Sequence, residues 1–173
     1  TRRSSDLEAD PAWTSCLDGP FPLDAAVIKA DWRRVWPGDP LPTYVTSPEA
    51  IAARLAGDAS WGVPDGTAEP GPESICTVTT PSGAMYRLAG LHLMTKELDH
   101  WLWVTLFWSE DPTTDLGADR PVAIEELGGP WASYKLCAVS TFGEADGSPS
   151  WCSNPYVEQG HGNASSNCIG CHQ

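Results

Sequence analysis

Five residues near the C-terminal end of this 173-residue chain, Cys168-Ile169-Gly170-Cys171-His172, carry its densest reactive chemistry. Two thiols spaced by two residues, with an imidazole directly after them, fit three chemistries: half of a tetrahedral zinc site, a thiol–disulfide couple, or covalent attachment of a haem. A thiol–disulfide couple draws its reactive thiolate from the start of a following helix, and only His172 and Gln173 follow the second cysteine here. Zinc needs further ligands. His161 or another cysteine could help complete such a site, yet no second Cys-x-x-Cys occurs, and the side chains of adjacent Cys171 and His172 point in different directions. Haem attachment uses every residue of the motif. The two thiols add to the two vinyl groups on one porphyrin edge, and the histidine swings under the ring to bind iron. A chance match somewhere in a chain of this composition is roughly a one-in-two-hundred event under the motif rule, so haem is the favoured reading.

The other four cysteines, Cys16, Cys76, Cys137 and Cys152, admit three disulfide connectivities. Cys137–Cys152 closes a short loop across a Gly/Ser/Pro turn, which makes Cys137–Cys152 with Cys16–Cys76 the expected set. Such cysteines, with 16 Gly and 16 Pro in loop-like clusters, point to an oxidising compartment.

Hydrophobic residues at 41% and charged residues at 19% indicate a globular chain, and its length suits a single domain over 1–173. Ten Lys and Arg against 23 Asp and Glu give a net charge of −13. A surface this acidic repels phosphate backbones, which excludes nucleic-acid binding, and would steer a basic partner inward at low salt. No apolar run reaches transmembrane length. The N-terminal "TRRSSDLEAD" has no hydrophobic stretch after its arginines, so any signal peptide is expected to have been removed.

The elements that must position the motif read as mainly β. Residues 1–24 form an irregular arm, and 26–36 alternate as a strand that ends at Pro37-Gly38. "SPEAIAARLAG" (47–57) is the clearest helix, with Ser47 as cap, Pro48 at the first helical position and Gly57 at the exit. Ile51 and Leu55 share its packing face. Residues 58–73 read as loop. "SICTVTT" and "AMYRLAGLHLMTK" flank the turn Pro81-Ser82-Gly83, while 100–108 and 131–142 supply two more strands. The expected fold is an antiparallel sheet or sandwich-like domain with one or two short helices and an irregular C-terminal haem-binding segment over 152–173.

Through Cys168, Cys171 and His172 the sequence resembles the c-type cytochromes. The strand-rich remainder differs from the small all-α cytochrome c fold, where this motif lies near the start of the domain. The latter half is more similar to a group of secreted bacterial single-haem proteins, through "LHLMTKELDHWLWVTLFW", with His92, Lys96, Trp101 and Trp103, and through "CSNPYVEQG". The resemblance implies one covalent haem c on Cys168 and Cys171, His172 as proximal iron ligand, and a periplasmic or extracellular location.

What such a haem does depends on the distal side of its iron. Strand alternation over 84–96 puts His92 and Met94 on one face, about 7 Å apart. The resemblance points to His92, with Met94 as the alternative; Met85, His100 and His161 are weaker candidates. Lys96 could pair with a propionate, and some of the nine tryptophans could wall the haem. Two firm ligands imply electron transfer with a redox partner protein. An open or displaceable distal site would imply a small-ligand sensor or a peroxidase-like enzyme, in which His92 and Arg87 would act together; a regular strand puts Arg87 on the opposite face. A haem-free, disulfide-stapled binding domain is the third reading, and it leaves the terminal motif unexplained.

Overall fold

Alternating β-branched and aromatic residues in the middle of the chain build an antiparallel sheet, and turn chemistry decides where each strand stops. The computed structural model describes residues 21–98, 101–114, 121–141, 151–158 and 167–171. In chain order the elements are β1 (Ala26–Arg34), β2 (Leu41–Thr43), α1 (Pro48–Ala56), β3 (Gly66–Ala68), β4 (Thr77–Thr79), β5 (Met85–Thr95), β6 (Leu102–Trp108), α2 (Val122–Glu126), a 3-10 turn (Gly129–Ser133), β7 (Tyr134–Val139) and α3 (Cys168–Cys171). The fold is mainly β with antiparallel sheets, as expected, and not all-α. Among the described residues no helix is long and apolar enough to cross a membrane. The irregular arm falls mostly on residues outside those described.

The main sheet runs β1-β5-β6-β7, and β4 also pairs with β5. β5 is its axis. Because Arg87 faces both Arg33 of β1 and Thr77 of β4, those two strands must lie on opposite edges of β5. One edge is therefore taken by β1, while the other is shared by β4 over Met85–Arg87 and by β6 over Gly90–Thr95. The β4–β5 turn is as predicted: Gly83 takes φ +84, a left-handed conformation that only glycine adopts at no steric cost.

One irregularity changes which side chains share a face. Asp31 faces Gly90 but Trp32 faces Leu88, so Ala89 is an extra residue bulged out of β5. The partners of Arg87 and His92 on β1 are Arg33 and Lys29, four residues apart and hence on one face. The bulge thus overturns the expectation that Arg87 lies opposite His92. The two remain five residues apart along β5, roughly 16 Å at about 3.3 Å per residue. That is far beyond the reach of a paired distal acid and arginine.

α1 follows its sequence signals. The Ser47 hydroxyl accepts from the Ala50 N–H at 3.3 Å, and Gly57 closes the helix at φ +84. Its inward face differs from expectation. Ile51 packs on the core, but Leu55 is exposed and Arg54 turns in. The Arg54 guanidinium stacks 3.9 Å from the Trp61 ring and pairs with Asp65 at 2.8 Å, so its buried charge is compensated. Residues 58–73 are not all loop: β3 pairs with β2 in a second, two-stranded sheet.

Two apolar clusters fill the interior. The larger gathers Trp61, Ile75, Leu88, Phe107, Tyr134 and their neighbours. The smaller consists of Trp103, Cys137, Val139, Cys152, Cys168 and Ile169.

Candidate functional site

The sheet register defines the site. On one face of β5–β6–β7 stand two rows, His92–Thr105–Cys137 and Met94–Trp103–Val139. His92 and Met94 are neighbours on that face, as strand alternation predicted.

The segment 151–158 is fixed over this face by two devices. The disulfide Cys137–Cys152, paired as predicted, ties it to β7. Asn154, fully buried, ties it to β6. Its Nδ2 donates to Thr105 Oγ1 at 2.7 Å and to the Leu106 carbonyl at 3.0 Å. Its Oδ1 accepts from the N–H groups of Tyr156 at 3.0 Å and Val157 at 3.1 Å. Both amide donors and both lone pairs are used, which fixes the orientation of the side chain. Gly90 makes room for it, since a Cβ there would stand 2.7 Å from Asn154 Oδ1.

The same segment delivers a carboxylate to His92. The Glu158 N–H donates to the Asn154 carbonyl at 3.0 Å, which closes a turn. Glu158 Oε2 then accepts from the Asn154 N–H at 3.2 Å and from the Ser153 hydroxyl, and Ser153 Oγ accepts from Trp61 Nε1 at 2.9 Å. Glu158 Oε1 lies 3.5 Å from His92 Nε2, with the two side chains 17% and 12% exposed, so water screens them little. Serine, glutamate and histidine stand together, yet the carboxylate lies in the middle. A nucleophilic serine must donate to the imidazole, and here the Glu158 carboxylate stands between the two.

Cys168 and Ile169 of the motif sit beside this arrangement. Asn167 Oδ1 accepts from the Ile169 N–H at 3.0 Å and starts α3, the single turn that contains both motif cysteines. Cys168 is buried in the cluster with Trp103, Val139 and Cys152, against which Met94 and Trp101 pack. Trp101 takes φ +65, rare for an aromatic residue, at the turn that brings its ring to this cluster. His172, His161, His100 and Cys16 lie outside the described residues, and Cys171 is described only as part of α3. Lys96 has its ammonium 5.6 Å from the Trp101 ring, and Met85 is exposed at the far end of β5.

Cys76 is a thiol in this structure, and its expected partner in the Cys16–Cys76 pairing lies outside the described residues. It packs against the larger core, where its N–H donates to the Tyr134 hydroxyl at 3.1 Å. Burial pushes the Cys76 thiol up from its ordinary range, and burial pushes the Tyr134 and Tyr156 phenols up as well.

Sequence reasoning missed Ser153, Asn154 and Glu158. Their signal is the stretch "CSNPYVEQG": a cysteine, then small polar residues before a proline, can bury polar groups only if they are mutually bonded. No group of three or more His, Cys, Asp or Glu able to hold a metal ion occurs among the described residues. Comparison of the chain with protein-family models, curated proteins and solved structures finds no match.

Proposed function

We propose that this chain is an exported single-haem c-type cytochrome that carries electrons, with one haem c held by Cys168 and Cys171 and with His172 and His92 as axial ligands. The observation that supports this reading is the position of Cys168. Cys168 enters an apolar cluster on the same sheet face that presents Met94 and His92.

The residues present fit a haem in kind. Trp103, Val139 and Ile169 give an apolar wall, which keeps water from a porphyrin edge. His92 and Met94 are the two side-chain types that complete such a centre. When bound, haem supplies a one-electron couple; the protein supplies burial and orientation. Glu158, beside His92, would orient the imidazole and raise its basicity, as carboxylates behind ligating histidines do. The net charge of −13 favours a basic redox partner, and the Cys137–Cys152 disulfide supports an oxidising compartment. A second distal assignment, Met94, is favoured by one observation: it packs against the cluster that contains Cys168.

The test is an absorption spectrum of protein produced in a host with a haem-attachment system, recorded oxidised, reduced, and reduced under CO. The expected result is a haem retained after denaturation, with a reduced spectrum that CO does not change. His92→Ala should then admit CO; if Met94→Ala does so and His92→Ala does not, Met94 is the ligand. A Soret band absent from denatured protein refutes covalent haem. An immediate CO shift in the parent protein replaces electron transfer with a small-ligand sensor or a peroxidase-like enzyme.

A further inference from the structure

A cleft of about 240 Å³ opens where β1 leaves the main sheet and the chain doubles back into β2. Arg33 and Arg34 from the end of β1 line it, together with Trp36, Asp39, Pro42 and, from β5, Arg87. Three of the ten basic residues of an acidic chain thus meet in one small concavity.

The register makes this meeting costly. Arg33 and Arg87 are direct cross-strand partners, and like charges in that position destabilise a ladder. Carboxylates stand beside two of the three guanidinium groups. Asp31 holds Arg33 Nε at 2.7 Å. Glu69, itself 58% exposed, stands 3.5 Å from Arg87, longer than a charge-assisted hydrogen bond. Asp39 lines the cleft, and its N–H closes a turn onto the Trp36 carbonyl at 3.1 Å. Arg34 pairs with no carboxylate among the described residues; its guanidinium lies 3.8 Å from the Trp36 ring centre. Stacking of this kind occupies a guanidinium's face and leaves its in-plane donors directed along the edge.

We propose that this cleft binds a small polyanion bearing phosphate or carboxylate groups, with Arg34 and Arg87 as its principal donors and Trp36 as the wall for its uncharged part. Guanidinium groups match both kinds of oxyanion in a two-pronged geometry. The overall negative charge does not forbid this, because at physiological ionic strength charges beyond about 8 Å are largely screened. The site needs neither the haem motif nor His92, which stands five residues from Arg87 along β5, so it stands whether or not the cytochrome reading does.

Calorimetric titration of the purified full chain with inorganic pyrophosphate and, separately, with citrate at constant ionic strength tests the proposal. Saturable one-to-one binding of at least one of them is expected. Binding of pyrophosphate alone assigns phosphate chemistry, and binding of citrate alone assigns carboxylate chemistry. Arg34→Gln and Arg87→Gln should each weaken binding by about tenfold or more. Arg34→Gln alters only an exposed side chain, so it decides the matter if Arg87→Gln proves unstable. No saturable binding of either anion up to roughly 10 mM, at which Kd would be too weak for specific recognition, overturns the proposal. So does unchanged affinity in Arg34→Gln.

Discussion

Replacing Asn154 by alanine should remove more stability than any other single polar change in the described structure. The substitution leaves the N–H groups of Tyr156 and Val157 without their acceptor and removes the Asn154 donor from the Leu106 carbonyl. Each buried polar group so orphaned costs about 1–3 kcal/mol. The two amides alone therefore cost about 4 kcal/mol, a large part of the roughly 5–15 kcal/mol that holds a domain folded. For a chain of this size each kcal/mol lowers Tm by about 2–4 °C, so a fall of about 10 °C is expected in a circular-dichroism melt with the disulfide kept oxidised. Asn154→Asp keeps the acceptor but turns a second oxygen toward the Leu106 carbonyl. Its carboxyl should be pushed up, because only the protonated form can donate there. An acid whose folded pKa is raised binds more protons folded than unfolded, so stability falls as pH rises through that window. The deficit against the parent protein should shrink on acidification. Gly90→Ala supplies the second arm, since its Cβ collides with Asn154 Oδ1 at 2.7 Å. In the double variant the truncated side chain at position 154 no longer meets that Cβ, so the two losses should sum to less than their separate values. A fall below about 2 °C in Asn154→Ala, or strict additivity with Gly90→Ala, would refute the account of how residues 151–158 are held.

Tyr134→Phe should cost about 2 kcal/mol in urea denaturation, since the buried hydroxyl donates to the Leu88 carbonyl at 2.6 Å and accepts from the Cys76 N–H at 3.1 Å. Reducing Cys137–Cys152, which spans 15 residues, should lower stability by about 3 kcal/mol, measured as the shift in urea midpoint with and without reductant. Alkaline pH should unfold the protein progressively: Cys76, Tyr134 and Tyr156 all have raised folded pKa values, so the unfolded chain loses their protons first. Stability should therefore decline above about pH 9, and Cys76 alkylation, followed by peptide mapping, should lag behind a free thiol at the same pH.

What was legible in the sequence follows the range of the interactions involved. α1 was written in Ser47, Pro48 and Gly57, because capping acts across three or four residues. The β4–β5 turn was written in Pro81-Ser82-Gly83, because one left-handed glycine decides it. The Cys137–Cys152 pairing was readable because the loop it closes is short. Strand alternation was enough to bring His92 and Met94 to one face. The rest depends on partners distant in sequence. β2 and β3 are three residues each, too short for any period, and they exist because Leu41 meets Ala68. The bulge at Ala89 is a property of the β1–β5 register, so no local signal moves Arg87 to the face of His92. Arg54 is charged and buried because Trp61 and Asp65 await it from the loop that follows. Glu158 reaches His92 only because Asn154 is bonded to a strand almost 50 positions earlier.

β1 is nine residues long, mostly exposed, and an outer strand of the sheet among the described residues. An edge of that length could template pairing with a second copy and lead toward aggregation. Its outward composition works against this. Ile28 is exposed, yet Lys29, Asp31, Arg33 and Arg34 stand along the same short strand, so an incoming strand must bring charge beside charge. The bulge opposite Asp31 adds local twist, which a flat intermolecular ladder would have to remove. Neutralising these positions together would therefore test the colloidal behaviour of the protein more than its fold, with filament formation as the expected failure.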